Sequence, residues 1–270
     1  MYTALFIISL ILQSKQIVDP TFEPFNTDLA TNSLTQISAS VFPDTYDPRG
    51  VDPCLPSIMN QGSCGNCYAF AVSYAYSFRY CKKTQKSIQL SVQDLTMCDV
   101  TNQYCNGGSM DSTISYLENY GAIPSSCVTF NSNNLGTCTY GKCNNGSMTL
   151  NKYFCQPGTS QFINNTTLNG QSILTTTIKN EIFNRGAVSA TITSSSGTFQ
   201  TYYTSYNNNI FSEEANPTSL STDHAIAIIG WGPGYWIIAN SWGPYWGYKG
   251  FAKISMGIRK LGASSYFCTP

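Results

Sequence analysis

Between Cys67 and Cys81 the chain has no Gly or Pro, and apolar or aromatic side chains fall at positions 67, 68, 70, 71, 74, 78 and 81. This spacing is close to the 3.6-residue period, so it predicts a mostly buried helix beginning at Cys67. Ser91 to Leu95 has the form of a second helix start. Ser109 to Tyr120 reads as a third helix, ended by Gly121. From Cys127 to Cys155 the chain is rich in Cys, Gly and Asn, which predicts loops held by bridges. The texture then changes. Thr175 to Asn184 reads as one more helix, followed by β-like runs at Ala187–Ile192, Ala225–Ile229, Tyr235–Ala239 and Gly250–Ile254, with Gly- and Pro-rich turns between them. Helices first and strands second predict an α+β protein of two packed halves, 41–150 mainly helical and 151–270 mainly β.

The first forty residues stand apart. Ala4 to Leu12 is an apolar run of signal-peptide length, too short to span a bilayer, and predicts a signal peptide over 1–16 with cleavage near Ser14 to Gln16. Residues 17–40 are polar, contain Pro and Asn, and show no helical period, so they read as a short pro-segment or arm. Net charge is zero and only 10% of residues are charged, so no basic run points to nucleic acid and no acidic tail to a basic partner. The chain has eleven cysteines. In an oxidising compartment, ten can pair and one stays free. An odd cysteine reserved for an intermolecular bridge, or incomplete pairing, fits the same count.

The 270 residues include a single histidine, His224, so any imidazole chemistry near neutral pH rests on it. Cys67 opens a predicted helix, where partial positive charge favours a thiolate. Cys64-Gly65-Asn66-Cys67 is also a C-x-x-C, which could be a redox pair or half a zinc site. Zinc would need a second pair with suitable spacing; Cys138 and Cys143 are too far apart in sequence for that, and one histidine helps little. His224 could equally be a core histidine on a strand, and Asn240 an ordinary turn residue.

The motifs around these residues narrow the choice. Gln61-Gly62-Ser63-Cys64-Gly65-Asn66-Cys67-Tyr68-Ala69-Phe70, Leu90 to Leu95, Cys98-Asp99, Cys105-Asn106-Gly107-Gly108, Gly186 to Ser189, Asp223-His224-Ala225 and Asn240-Ser241-Trp242-Gly243 follow one another in that order. In this the chain resembles the papain family of cysteine proteases, nearer the cathepsin B and cathepsin X branches, from about Val41 to about Ile254. The resemblance implies a papain-like α+β fold with a cleft between a helical half and a β-barrel-like half. It implies Cys67 as nucleophile, His224 as acid/base, Asn240 as the residue that orients the imidazole, Gln61 as an oxyanion donor and Trp242 as a cover over the His–Asn bond. Gly107 and Gly108 would present backbone to an extended peptide; Met110, Thr191, Ala225 and Ser264 would line the pocket for the second residue before the cut. No metal and no cofactor are implied.

The same resemblance suggests bridges Cys64–Cys105 and Cys54–Cys81, with Cys98–Cys138 and Cys127–Cys143 next and Cys155–Cys268 as the remainder. It departs from the family at Asn66, where Ser or Ala is usual, and in its short pro-segment. Without a second histidine, dipeptide removal by an occluding loop is disfavoured, which leaves endopeptidase action. The expected partners are polypeptide substrates and protein inhibitors, for a secreted or lysosomal/vacuolar monomer with no nucleic acid and no membrane once the signal is removed. The rival expectation is a catalytically inactive, disulfide-stapled binding protein on the same fold.

Overall fold

The computed structural model describes residues 42–149, 151–164, 170–195, 197–202, 208–214 and 221–270. The expected signal peptide and pro-segment lie outside these residues. The first helix, α1, spans Cys67–Thr84, starting where the apolar period starts. Thirteen of its residues are buried, including Tyr68, Phe70, Val72 and Phe78, so it is a central strut rather than a surface helix. It ends at Gln85, which takes the left-handed conformation at φ 58° and returns its N–H to the Cys81 carbonyl.

Two shorter helices follow, each with a serine cap. Helix α2 spans Val92–Cys98, and the Ser91 side chain accepts from the Asp94 N–H. Helix α3 spans Met110–Asn119, and the Ser109 side chain accepts from the Asp111 N–H. Each cap contributes about 1 kcal/mol. Both helices match the expected segments within two or three residues.

A seven-stranded sheet occupies the second part of the chain: β1 Gln161–Asn164, β2 Val188–Ile192, β3 Ile210–Phe211, β4 His224–Gly232, β5 Tyr235–Ala239, β6 Phe251–Ser255 and β7 Ser264–Phe267. Its order is β1-β7-β2-β4-β5-β6-β3. Every pairing is antiparallel except β3 with β6. Helix α4, Gly170–Arg185, begins earlier than the expected Thr175. Its residues Ile178 and Ile182, four apart, pack into the main core with Ile226, Ile228, Trp231 and Ile254 of the sheet. That packing holds a helix through a threonine-rich stretch of low helix propensity.

Strands β2, β4, β5 and β6 lie where the runs predicted them. Three strands gave no such signal. In β7 the buried positions are Ser265 and Phe267, so a serine sits where alternation predicts an apolar residue. Its hydroxyl donates to the Gly262 carbonyl. Strand β1 lies at the sheet edge with Phe162 exposed, and β3 has only two residues.

The ten remaining cysteines pair as Cys54–Cys81, Cys64–Cys105, Cys98–Cys138, Cys127–Cys143 and Cys155–Cys268. These are the pairings that the resemblance suggested. Cys64 is therefore not a redox or zinc partner of Cys67, which is the free cysteine.

Candidate active site

Cys67 stands at the first position of α1. The backbone N–H groups of Ala225, Tyr68 and Cys67 itself lie near enough to its sulfur to favour a negative charge there. Burial pushes the thiol pKa up; these N–H groups pull it down, and the charge of Asp223 raises it again. Cys67 packs against the buried cluster that contains Ala225 of β4, the residue that follows His224.

The residue before Cys67, Asn66, is fully buried. Its side chain does not cap the helix; Nδ2 donates to Thr96 Oγ1 at 2.8 Å, tying the active-site loop to α2. The loop is held from the other side as well. Gly65 donates its N–H to the Cys105 carbonyl at 2.9 Å, and a Cβ at position 65 would stand 2.5 Å from that oxygen. Only glycine fits there.

His224 begins β4 and is buried. Its Nε2 lies 2.8 Å from Asn240 Oδ1. The same oxygen accepts the Ser241 N–H at 2.8 Å, which fixes the amide orientation, since a backbone N–H can only donate. Nε2 therefore carries the proton in this bond, and Nδ1 is the free basic nitrogen. Burial lowers the imidazole pKa; the Asn240 bond and the charge of Asp223 act the other way. The Asp223 carboxylate itself is held by the N–H groups of Ser194 at 2.6 Å and Ser195 at 2.9 Å.

Trp242 stacks on the His224 ring, with centroids 4.7 Å apart and planes 26° from parallel. Trp246 meets Trp242 edge-on at 5.4 Å. The aromatic group thus covers one face of the imidazole.

Gln61 is buried and bonded through both ends of its amide. Nε2 donates to the Cys64 carbonyl at 2.8 Å, and Oε1 accepts from Ser241 Oγ at 2.5 Å. Its backbone N–H donates to the Ser241 carbonyl at 2.8 Å. The second Nε2 hydrogen is left for another acceptor. Ser241 thus fastens the Gln61 loop to the segment carrying Asn240. Sequence reasoning read Ser241 only as a letter of the Asn240–Gly243 motif.

The remaining site residues come together in part. Thr191 and Ala225 are cross-strand partners, and Thr191 Oγ1 reaches the Ser264 carbonyl at 3.5 Å. Met110 and Ala225 share a buried cluster with Tyr68. Gly107 has φ 106° and open space where a Cβ would be. Gly108 has a local reason to be glycine: a Cβ would come within 2.5 Å of Asn102 Oδ1 and 2.7 Å of the Tyr68 ring. Asn102, which no motif signalled, organises this loop. Its Oδ1 accepts the Ser109 N–H at 2.6 Å and its Nδ2 donates to Asp99 and Thr113.

The family model for papain family cysteine proteases matches residues 42–270. The chain belongs to the papain family. It is 31% identical over 212 residues to the vignain of Vigna mungo, across 76% of this chain and 52% of that protein. It is 28% identical over 233 residues to the cathepsin B-like CP3 of Giardia intestinalis, across 81% and 71% of the two chains. In fold it is similar to a cysteine protease of Carica candamarcensis solved in complex with E-64, with a TM-score of 0.69 and 24% identity over 84% of this chain and 99% of that one. The chain spans 52% of the length of the vignains it matches. Among its described residues, no helix is long and apolar enough to cross a membrane.

Proposed function

We propose that this papain-family protein is a cysteine endopeptidase in which Cys67 and His224 exchange a proton. The observation that carries this reading is the bond of 2.8 Å between His224 Nε2 and Asn240 Oδ1, which supports a ring with Nδ1 free, together with Cys67 as the one free thiol among the described cysteines.

The chemistry follows from the groups in place. Burial disfavours each charge alone, so thiolate and imidazolium form together, each stabilising the other. The helix N-terminus and three N–H groups favour the sulfur's negative charge. The thiolate attacks a peptide carbonyl. The second Nε2 hydrogen of Gln61 and the Cys67 N–H would donate to the oxyanion that develops. His224 gives the proton to the leaving amine through Nδ1, and then takes one from water as the acyl-enzyme is hydrolysed. Asn240 holds the ring in the required tautomer, and Trp242 shields it.

Gly107 and Gly108 would bind the substrate backbone as an added strand. Met110, Thr191, Ala225 and Ser264 form an apolar to weakly polar wall, so Leu, Val or Phe is favoured over Arg two residues before the cut. The cathepsin B-like branch is supported by the Cys54–Cys81 bridge and by the Giardia relative. Five disulfides favour a secreted or vacuolar destination, where polypeptides and protein inhibitors are the partners.

Adduct mapping tests the reading. Iodoacetamide near pH 5 should label Cys67 rapidly and selectively, and Cys67→Ala should lower peptide hydrolysis by at least about ten-thousandfold while the fold is kept. Sluggish labelling, with no hydrolysis by the intact protein, would favour an inactive binding protein on this scaffold.

A further inference from the structure

Asn240 uses only its oxygen in holding His224. Its Nδ2 is buried and has no hydrogen-bond partner among the described residues. An amide nitrogen shielded from water without an acceptor is costly, and native proteins rarely leave one so. A second buried polar atom in the same position is Tyr74 Oη.

Both residues line one small, partly open pocket, together with Met59, Phe70, Ala225, Ala239 and the exposed Ser57. Its volume is about 10 Å³, at the lower limit of roughly 10–15 Å³ that one water occupies. The sequence explains how the two residues come to line one pocket. Tyr74 lies seven residues after Cys67, two turns of α1, so both side chains leave the same face of the helix. That face packs on β4 and β5, where Tyr74 shares a cluster with Ala227 and Ala239. Ala225 and Ala239 are small, and so leave a gap between helix and sheet immediately before Asn240.

We propose that a single buried water in this cavity links Tyr74 to Asn240, and that Tyr74 is a positioning residue for the His224 imidazole. The inference rests on the catalytic reading above. Nδ2 can only donate, whereas a tyrosine hydroxyl donates or accepts. A water matches both: it accepts from Nδ2 and exchanges a hydrogen bond with Oη. A cation would be repelled by the amide N–H groups. Burial pushes the Tyr74 phenol pKa well above its ordinary value, so the hydroxyl keeps its proton and remains a donor. With Nδ2 satisfied, Asn240 has no reason to rotate away, and Oδ1 stays on His224 and on the Ser241 N–H. No residue type in the Asn240–Gly243 motif announces this support; it comes from the middle of α1.

Two measurements test the proposal on the full chain. The first is a near-atomic crystal structure of the wild-type protein. It should show one water within hydrogen-bond distance of Tyr74 Oη and Asn240 Nδ2; a dry cavity overturns the proposal. The second is Tyr74→Phe, which removes one oxygen and keeps the ring. With active sites titrated by a thiol-directed epoxide, kcat per site should fall about fivefold, with KM unchanged. A purely structural role would lower the titrated fraction but leave kcat per site at the wild-type value, and that result overturns the positioning role. Should the variant fail to fold, the crystallographic result decides. Wild-type protein that neither titrates nor hydrolyses peptide, while its crystals hold the water, would sink the catalytic reading and the positioning role but leave the water site standing.

Discussion

The two sides of the site are held by different means. On the Cys67 side, four of the five disulfides lie within residues 54–143, and two of them, Cys54–Cys81 and Cys64–Cys105, span Cys67, the latter starting three residues before it. On the His224 side, β2, β4, β5 and β6 form a continuous ladder over a core that includes Trp231, Trp236, Ile238 and Ile254, and no bridge joins two of those strands. Long turns and short helices cannot pair their backbones cooperatively, so covalent links limit their freedom instead. A sheet buried on its inner face needs none. Cys67 thus relies on covalent links as well as on the packing of α1, and His224 on packing alone.

Removing the Cys64–Cys105 bridge breaks this contrast most directly. The Cys64→Ser/Cys105→Ser double variant should lose about 4 kcal/mol of stability, since the bridge closes a loop of 41 residues. Denaturant unfolding measures the loss. Hydrogen exchange should rise around 62–108 and stay slow in β4 and β5. Equal acceleration in the sheet would mean that the two sides are not independently secured.

The next effect concerns pH, again on the Cys67 side. Asp94 in α2 is buried, which pushes its carboxyl up to about 6; its one donor from the backbone, the Ile123 N–H at 3.3 Å, acts the other way. The fold therefore prefers the protonated acid. This contribution is complete below the unfolded carboxyl pKa, near 4, and is lost as pH rises through 6, amounting to about 3 kcal/mol. Asp94→Asn should match the wild type near pH 4 and exceed it in thermal midpoint near pH 7.5. Parallel midpoint curves for the two proteins would refute the assignment.

The smallest effect belongs to the His224 side. Trp242→Ala removes the ring stacked on the imidazole and should lower kcat/KM about tenfold, while the unfolding midpoint shifts less than in the bridge variant. If Trp242→Ala instead destabilises the protein more than loss of the bridge does, packing is the weaker anchor and the comparison reverses.

Local structure was legible where the signal was short-ranged. The start of α1 at Cys67, the helix starts near Ser91 and Ser109, and β5 at Tyr235–Ala239 all come from spacing within a dozen residues. Strand β7 escaped because its buried serine is satisfied by a turn carbonyl rather than by an apolar neighbour. The site was legible in its letters, since Cys67, His224, Asn240 and Gln61 each stand in a recognisable motif. What supports those letters was not.

By itself, then, the sequence determined which residue types were available: one imidazole, an odd count of cysteines, and a helix that begins on a thiol. Which of these side chains come together depends on the folded chain. Ser241 reaches Gln61 across 180 residues of chain, Trp242 lies flat on His224, and Tyr74 faces the same cavity as Asn240. The reason is physical. Periodicity and capping act within one or two turns of backbone, whereas hydrogen bonds and packing between distant segments depend on how the sheet and α1 close on each other, and that geometry leaves no local trace in the order of the residues.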